Sequence, residues 1–322
     1  MIIDTIREAI ADDLRAVDEV IHRRLHSEVV LIRQIADHIV GAGGKRLRPT
    51  LLILSARACR YEGRDHHELA AVIEFIHTAT LLHDDVVDES SLRRGQPTTN
   101  ALFGNAASVL VGDFVYSRAF QMMVSIENMK VLRVLADATN VIAEGEVLQL
   151  MNCRNAELSE DDYLRVIRYK TAKLFEAATR LGAILGGVGD PLEEAMSAYG
   201  AHVGTAFQLI DDVLDYSGDH VVTGKNVGDD LAEGKTTLPL IYAMKHGTRE
   251  QAQRVRRAIE AGRLDDLAPV LEAIRLSGAL DYARAQARAE SRMACTQLEA
   301  LPHSKYRDYL IQLADFAVTR TF

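Results

Sequence analysis

The sequence predicts an all-α protein, and three features carry that expectation. Apolar residues recur at mixed three- and four-residue spacing, as in Ile6, Ile10, Leu14, Val17, Ile21 and Leu25, which is the period of an amphipathic helix. Prolines number only 6 in 322 residues and there is no tryptophan, a composition suited to helices. No segment shows the alternation of a convincing strand. No linker, repeat or low-complexity stretch divides the chain either. Residues 1–322 therefore read as a single domain, although that length could bury one large core or two ordinary ones.

Composition excludes several classes of function. With 48% hydrophobic and 26% charged residues the chain is globular. A formal charge of -9 and a pI near 5.7 argue against nucleic acid as a partner, because phosphate backbones select basic surfaces. Any phosphate binding falls to local basic clusters. Cys59, Cys153 and Cys295 are odd in number, widely separated and without zinc-site spacing, which fits a reduced cytoplasm. Residues 1–20 lack the basic start and apolar core of a signal peptide. No uninterrupted apolar run approaches the roughly 20 residues of a transmembrane span, which leaves peripheral contact with a membrane open.

The elements follow in order. Residues 2–40 form amphipathic packing helices. Gly41-Ala42-Gly43-Gly44-Lys45-Arg46-Leu47-Arg48-Pro49 is a glycine-rich turn with three cations, ahead of a helix from about 50 to 60. Backbone N–H groups freed by glycine and the start of a helix suit an anion, though a solvated basic turn has the same composition. The next helix, about 68–89, carries the apolar run 69–82 and ends in His83-Asp84-Asp85-Val86-Val87-Asp88. Asp84 and Asp88 are four residues apart, so both carboxylates project from one face about one turn apart. Like charges so placed repel, and a hard divalent cation reverses the sign. Mg²⁺ prefers oxygen ligands and commonly shares its shell between carboxylates and a substrate phosphate. His77, roughly two turns before Asp84, is either a core histidine or a ligand. Beyond, 92–97 reads as a loop whose Arg93 and Arg94 suit bidentate phosphate binding or surface ion pairs.

Helical patterns continue through 106–126 and 131–151. Ser159-Glu160-Asp161-Asp162 resembles an N-cap opening a helix to about 185 that contains Tyr169-Lys170-Thr171. A Gly-rich stop at 186–189 closes it. Asp190-Pro191 starts the next helix, with proline where its missing N–H costs nothing. That helix ends in Gln208-Leu209-Ile210-Asp211-Asp212-Val213-Leu214-Asp215, which repeats the first acidic spacing. Two such clusters could hold several Mg²⁺ ions. The loop 217–235 contains Gly224-Lys225-Asn226 and Gly234-Lys235-Thr236; its lysines could close over a diphosphate, or it is an ordinary surface loop. Helices near 238–245, 248–261, 267–275, 280–300 and 305–319 carry no assignable motif.

Gly43-Gly44-Lys45 with Arg48-Pro49, the first Asp-rich box followed by Arg93-Arg94-Gly95, Lys170-Thr171, Gln208 with the second box, and the two Gly-Lys elements occur in the order seen in trans-isoprenyl diphosphate synthases. In detail the chain looks most like the bacterial octaprenyl diphosphate synthases that make the ubiquinone side chain. The resemblance implies a helical bundle around a deep central cavity, a homodimer, and two Asp clusters facing each other at the cavity mouth. It implies that Asp84, Asp88 and Asp211 bind Mg²⁺ directly, with Asp85, Asp212 and Asp215 supporting through waters. Lys45, Arg48, His77 and Arg94 match positions that hold the diphosphate of isopentenyl diphosphate. Arg93, Lys170, Lys225 and Lys235 match those that grip the allylic diphosphate, with Thr171 and Gln208 beside the growing chain.

The implied chemistry asks for such groups. Breaking an allylic carbon–oxygen bond leaves a carbocation and releases diphosphate, so the enzyme must stabilise negative charge on the leaving group. Product length should follow the depth of the cavity below the first cluster. Thr80 lies one turn below Asp84 on the same face, with Ala79 beside it, and short-product relatives carry aromatic residues here. Small residues predict a long product of about forty carbons. Met122 and Met123 are candidates for the floor, or plain core. Two other readings are a non-catalytic partner subunit, which would have lost acidic or basic ligands, and a terpene cyclase, which would carry a mixed Asn/Ser/Glu second box. Neither departure is present.

Overall fold

The computed structural model describes residues 2–41, 46–93, 95–217, 227–262 and 267–320. Lys45, Arg94 and Lys225 lie outside them. The described chain is almost entirely helical: α1 (Ile2–Ala9), α2 (Ala11–Leu25), α3 (Val30–Gly41), α4 (Leu47–Ala58), α5 (Asp65–Val87), β1 (Leu92–Arg93), β2 (Gln96–Pro97), α6 (Thr99–Phe103), α7 (Asn105–Ser125), α8 (Met129–Met151), α9 (Glu160–Ile167), a π-helical turn (Arg168–Ala172), α10 (Lys173–Leu185), α11 (Asp190–Ser217), α12 (Asp229–Ala232), α13 (Leu238–His246), α14 (Arg249–Ala261), α15 (Leu267–Ser277), α16 (Ala279–Gln297), a 3₁₀ turn (Leu298–Ala300) and α17 (Lys305–Thr319). The all-α expectation holds. Two local readings change. Residues 92–97, read as a loop, form a two-residue antiparallel ladder pairing Leu92 with Pro97 and Arg93 with Gln96, turned by Gly95 at φ +74°. The helix from 159 to 185 passes through a π-turn that holds Tyr169, Lys170 and Thr171.

The chain divides into two compact units, each assembled from three separate stretches. The first comprises residues 1–139, 174–200 and 297–313. Its centre is α5, which buries side chains around much of its circumference from Leu69 to Leu82, as a helix inside a core must. Helices α2, α4 and α7 pack on it. On α4, Leu51, Leu52, Ile53 and Leu54 are all inaccessible to solvent. The helix begins earlier than the sequence pattern suggests, at Leu47, with Pro49 inside the first turn where no N–H is needed. A polar tie joins three of these helices. Asp13 of α2 accepts from Arg57 of α4 at 2.7 Å and pairs with His67 and His66 of α5 at 2.9 and 3.1 Å. Burial works to raise the Asp13 pKa, but hydrogen bonds from the two histidines and Arg57 outweigh it and hold the carboxylate well below its usual range. Two histidines and an aspartate could gather a metal ion. Arg57 already supplies the neutralising charge, however, and a divalent cation in the same place would be repelled by it. The cluster reads as a helix tie.

The second unit comprises residues 140–173, 201–296 and 314–322. One apolar cluster gathers Tyr216, Leu231, Leu240, Val255, Ile259 and Ile274 from α11 to α15. Another joins Tyr163 and Ile167 of α9 to Leu209 and Val213 of α11, Leu238 of α13 and Ala287 of α16. This second cluster fixes the last turns of α11 against α9. The N-cap expected at Ser159 is present, its Oγ accepting from the Asp162 N–H at 3.1 Å.

Candidate active site

In the first unit the Asp cluster occupies the C-terminal end of α5. Asp84 and Asp85 lie in the last turn and Asp88 is the C-cap. The helix stops by a Schellman arrangement: the Ser90 N–H donates to the Asp85 carbonyl at 3.0 Å and the Glu89 N–H to the Val86 carbonyl at 3.4 Å. Glycine normally fills the left-handed position, yet here Glu89 takes it at φ +52°. The hairpin is then tied back. Asn100 Nδ2 donates to the Asp85 carbonyl at 3.0 Å, and Thr98 Oγ1 to the Ser90 carbonyl at 2.8 Å. This places Arg93 over Asp85, with Nε and an Nη donating to one carboxylate oxygen at 2.9 and 2.7 Å. Asp85 is buried, and Asp84 and Asp88 are half-buried. Burial raises the Asp85 pKa more than Arg93 lowers it.

Three carboxylates at this end of a helix stand where its dipole is negative. Like charges so placed repel, an effect that Arg93 offsets at Asp85, and carboxylate oxygens so gathered suit a bound cation. Below it, His77 and Thr80 are half-buried, and the Thr80 hydroxyl donates to the His77 carbonyl at 2.8 Å. Ala79, Met122 and Met123 are completely buried. Arg48, near the start of α4, lays its guanidinium over the Phe175 ring, 4.5 Å from the centroid.

In the second unit the second cluster occupies the last two turns of α11. Asp211 is partly exposed, whereas Asp212 and Asp215 are buried. A hydrogen-bonded chain fixes Asp212: Tyr163 donates to Oδ2 at 2.5 Å, Gln208 Nε2 to Oδ1 at 2.8 Å, and Thr171 Oγ1 to Gln208 Oε1 at 3.0 Å. Lys170 Nζ donates to Glu146 of α8 at 2.5 Å, and Lys235 Nζ to Glu233 at 2.5 Å. The Gly228 N–H donates to the Asp215 carbonyl at 3.0 Å, closing the chain back on α11.

Three participants escape sequence reasoning. Arg320, next after α17, donates to Asp211 Oδ1 at 2.5 Å and to the Phe207 carbonyl at 2.8 Å, with its guanidinium 3.8 Å from the Phe207 centroid. Its side chain is 2% exposed, buried against a predicted metal ligand. Glu146 and Tyr163 carry no motif signal. Their roles come from partners distant in sequence.

Burial and the neighbouring Asp230 push the Asp212 pKa up to about 8, against the hydrogen bonds from Tyr163 and Gln208. The folded state then holds a proton that the unfolded state releases near pH 4. Between those values folding takes up a proton, so the stability of the metal-free protein falls as pH rises, by up to about 1.4 kcal/mol per pH unit. Asp212→Asn removes that slope. Chemical denaturation of both proteins at pH 5 and pH 7.5 checks it, and equal slopes would exclude Asp212 as the source.

The Polyprenyl synthetase family model matches residues 29–275. The chain is 55% identical to an octaprenyl diphosphate synthase of Escherichia coli (strain K12) over 321 residues, covering 99% of each chain. It is 47% identical to an all-trans-nonaprenyl-diphosphate synthase (geranyl-diphosphate specific) of Rhodobacter capsulatus over 312 residues, covering 97% of this chain and 96% of that one. A crystal structure of polyprenyl synthase from Caulobacter crescentus CB15, complexed with calcium and isoprenyl diphosphate, superposes with a TM-score of 0.96 at 45% identity, covering 99% of this chain and 98% of that one.

Proposed function

The chain belongs to the polyprenyl synthetase family, and on that premise we propose that it makes octaprenyl diphosphate by adding isopentenyl units to farnesyl diphosphate. It is a prenyltransferase of the all-α isoprenoid synthase fold that condenses isopentenyl diphosphate with an allylic diphosphate. The observation that carries the product assignment is the similarity to an octaprenyl synthase over the whole of both chains. The reading takes residues 1–322 as one functional domain and assigns the product to the ubiquinone side chain.

Mg²⁺ is the proposed metal, held by Asp84, Asp88 and Asp211, with Asp85, Asp212 and Asp215 behind them. The donor set supports it, being carboxylate oxygens on helix ends whose last turns carry no basic residue of their own, with Arg93 on Asp85 and Arg320 on Asp211 neutralising only part of the charge. When bound, the ions neutralise charge developing on the departing diphosphate. Lys45, Arg48, His77 and Arg94 are assigned to the diphosphate of isopentenyl diphosphate. Arg93, Lys170, Lys225 and Lys235 are assigned to the allylic diphosphate, with Thr171 and Gln208 along the prenyl chain. Arg93 is oriented by Asp85, Lys170 by Glu146, and Lys235 pairs with Glu233. The isopentenyl double bond attacks the allylic cation, and the proton lost afterwards passes to the released diphosphate. No side-chain nucleophile is required. Turnover of farnesyl and isopentenyl diphosphates should vanish in EDTA and return with Mg²⁺; turnover that survives chelation would remove the metal from this account.

A second copy of the chain is the proposed partner. Along α7, Ala106, Val109, Leu110, Asp113, Ser117, Gln121 and Val124 lie on one exposed stripe, with Leu110 67% and Val124 61% exposed. Exposed Val109, Leu110 and Val124 on that stripe support a surface for a second copy. Sedimentation should give twice the chain mass, and Leu110→Glu with Val124→Glu should give monomers. Among the described residues no helix is long and apolar enough to cross a membrane.

A further inference from the structure

We propose that Gly145 and Glu146 of α8 are positioning residues that seat Lys170 for the allylic diphosphate, one through the lysine's backbone and the other through its ammonium. The proposal rests on the assignment of Lys170 to that diphosphate. The π-turn from Arg168 to Ala172 is the starting observation. Such a turn inserts one residue into a helix, disturbs its hydrogen bonding, and recurs at functional sites because it pushes a segment of backbone outward. Here the displaced segment meets α8 at Gly145. A Cβ built on Gly145 would lie 2.6 Å from the Lys170 nitrogen, 3.0 Å from the Lys170 Cα and 2.9 Å from the Tyr169 Cβ. Two of those three atoms are backbone and cannot rotate aside, so the turn fits against α8 only where there is no side chain.

The next residue takes the other end of the lysine. Glu146 accepts from Lys170 Nζ at 2.5 Å, in a pair whose lysine and glutamate side chains are 18% and 29% exposed. A lysine stem has many rotamers, and an ammonium already fixed near its working place loses less freedom when the substrate arrives. Thr171, the following residue of the same turn, donates to Gln208, which donates to Asp212. The turn seated at 145–146 therefore carries two adjacent groups assigned to substrate, Lys170 and Thr171.

A glycine tolerated only for helix packing would look similar in one respect, and the experiment separates the two. Gly145→Ala raises the intrinsic helix propensity of α8, so lost function with an intact melting transition points to the contact with the turn. The dissociation constant for farnesyl diphosphate, measured on the full-length enzyme with Mg²⁺ and without isopentenyl diphosphate, should rise about tenfold in G145A and about fivefold in E146Q. The KM for isopentenyl diphosphate should stay within about twofold. In a Lys170→Ala background neither substitution should add to the loss, because both act through the lysine. If G145A fails to fold, E146Q, which keeps the size of the side chain and removes its charge, carries the test alone. Unchanged farnesyl diphosphate affinity in E146Q and G145A, with a clear loss in K170A, would overturn the socket and leave the assignment of Lys170 standing. Losses that multiply in the double variants would also overturn it. Unchanged affinity in K170A would instead refute the assignment of Lys170 and the socket with it.

Discussion

Asp84→Asn should lower turnover by at least about a thousandfold, the loss of roughly 4 kcal/mol of stabilisation at the departing diphosphate. The same substitution should raise the thermal stability of the metal-free protein. Asp84 stands in the last turn of α5, one residue from Asp85 and four from Asp88, at the negative end of the helix dipole. Removing its charge relieves like-charge repulsion and the unfavourable dipole interaction, together on the order of 0.5–1 kcal/mol. Opposite signs for activity and stability are what a cation site built at a structural cost produces. Steady-state kinetics and thermal melts in EDTA read both. An activity loss accompanied by destabilisation would instead place Asp84 in the scaffold.

Thr80→Phe should shorten the product from about forty carbons to roughly fifteen to twenty, because it sets a ring about one helical turn below Asp84. Thr80 is half-buried and, among the described residues, its hydroxyl donates back to its own helix at the His77 carbonyl. Its replacement therefore disturbs little besides the path beneath the cluster. Ala79→Tyr is predicted to act in the same direction, but Ala79 is completely buried, so a ring there must also displace packed neighbours at about 1–3 kcal/mol. Thin-layer chromatography of the dephosphorylated products distinguishes the lengths. A forty-carbon product from Thr80→Phe would remove the argument from this helix face.

Both predictions rest on features legible in the sequence, and the reasons are local. An acidic pair at four-residue spacing after an apolar run needs only helix geometry to be interpreted, and α5 and α11 realise that geometry at Asp84 and Asp88 and at Asp211 and Asp215. The capping residue Ser159 is visible for the same reason. What escapes is set by contacts across the fold. Arg320 meets Asp211 across 109 positions of chain, and Tyr163 meets Asp212 across 49. Neither separation corresponds to a repeat of any helix. The π-turn at Lys170 has no propensity signature, because the close approach of Gly145 across the unit makes room for it. At Glu89 local preference points the wrong way: a left-handed C′ position favours glycine, and glutamate occupies it beside the proposed metal ligands.

The most direct test of the proposed function is the chain length of the product formed from farnesyl diphosphate and radiolabelled isopentenyl diphosphate with Mg²⁺, run beside Asp84→Ala. The account predicts a ladder ending near forty carbons, eight five-carbon units, that is absent from the variant. A wild-type product stopping at about fifteen or twenty carbons would contradict the octaprenyl assignment, and a full ladder from Asp84→Ala would contradict the metal-binding role on which the mechanism depends.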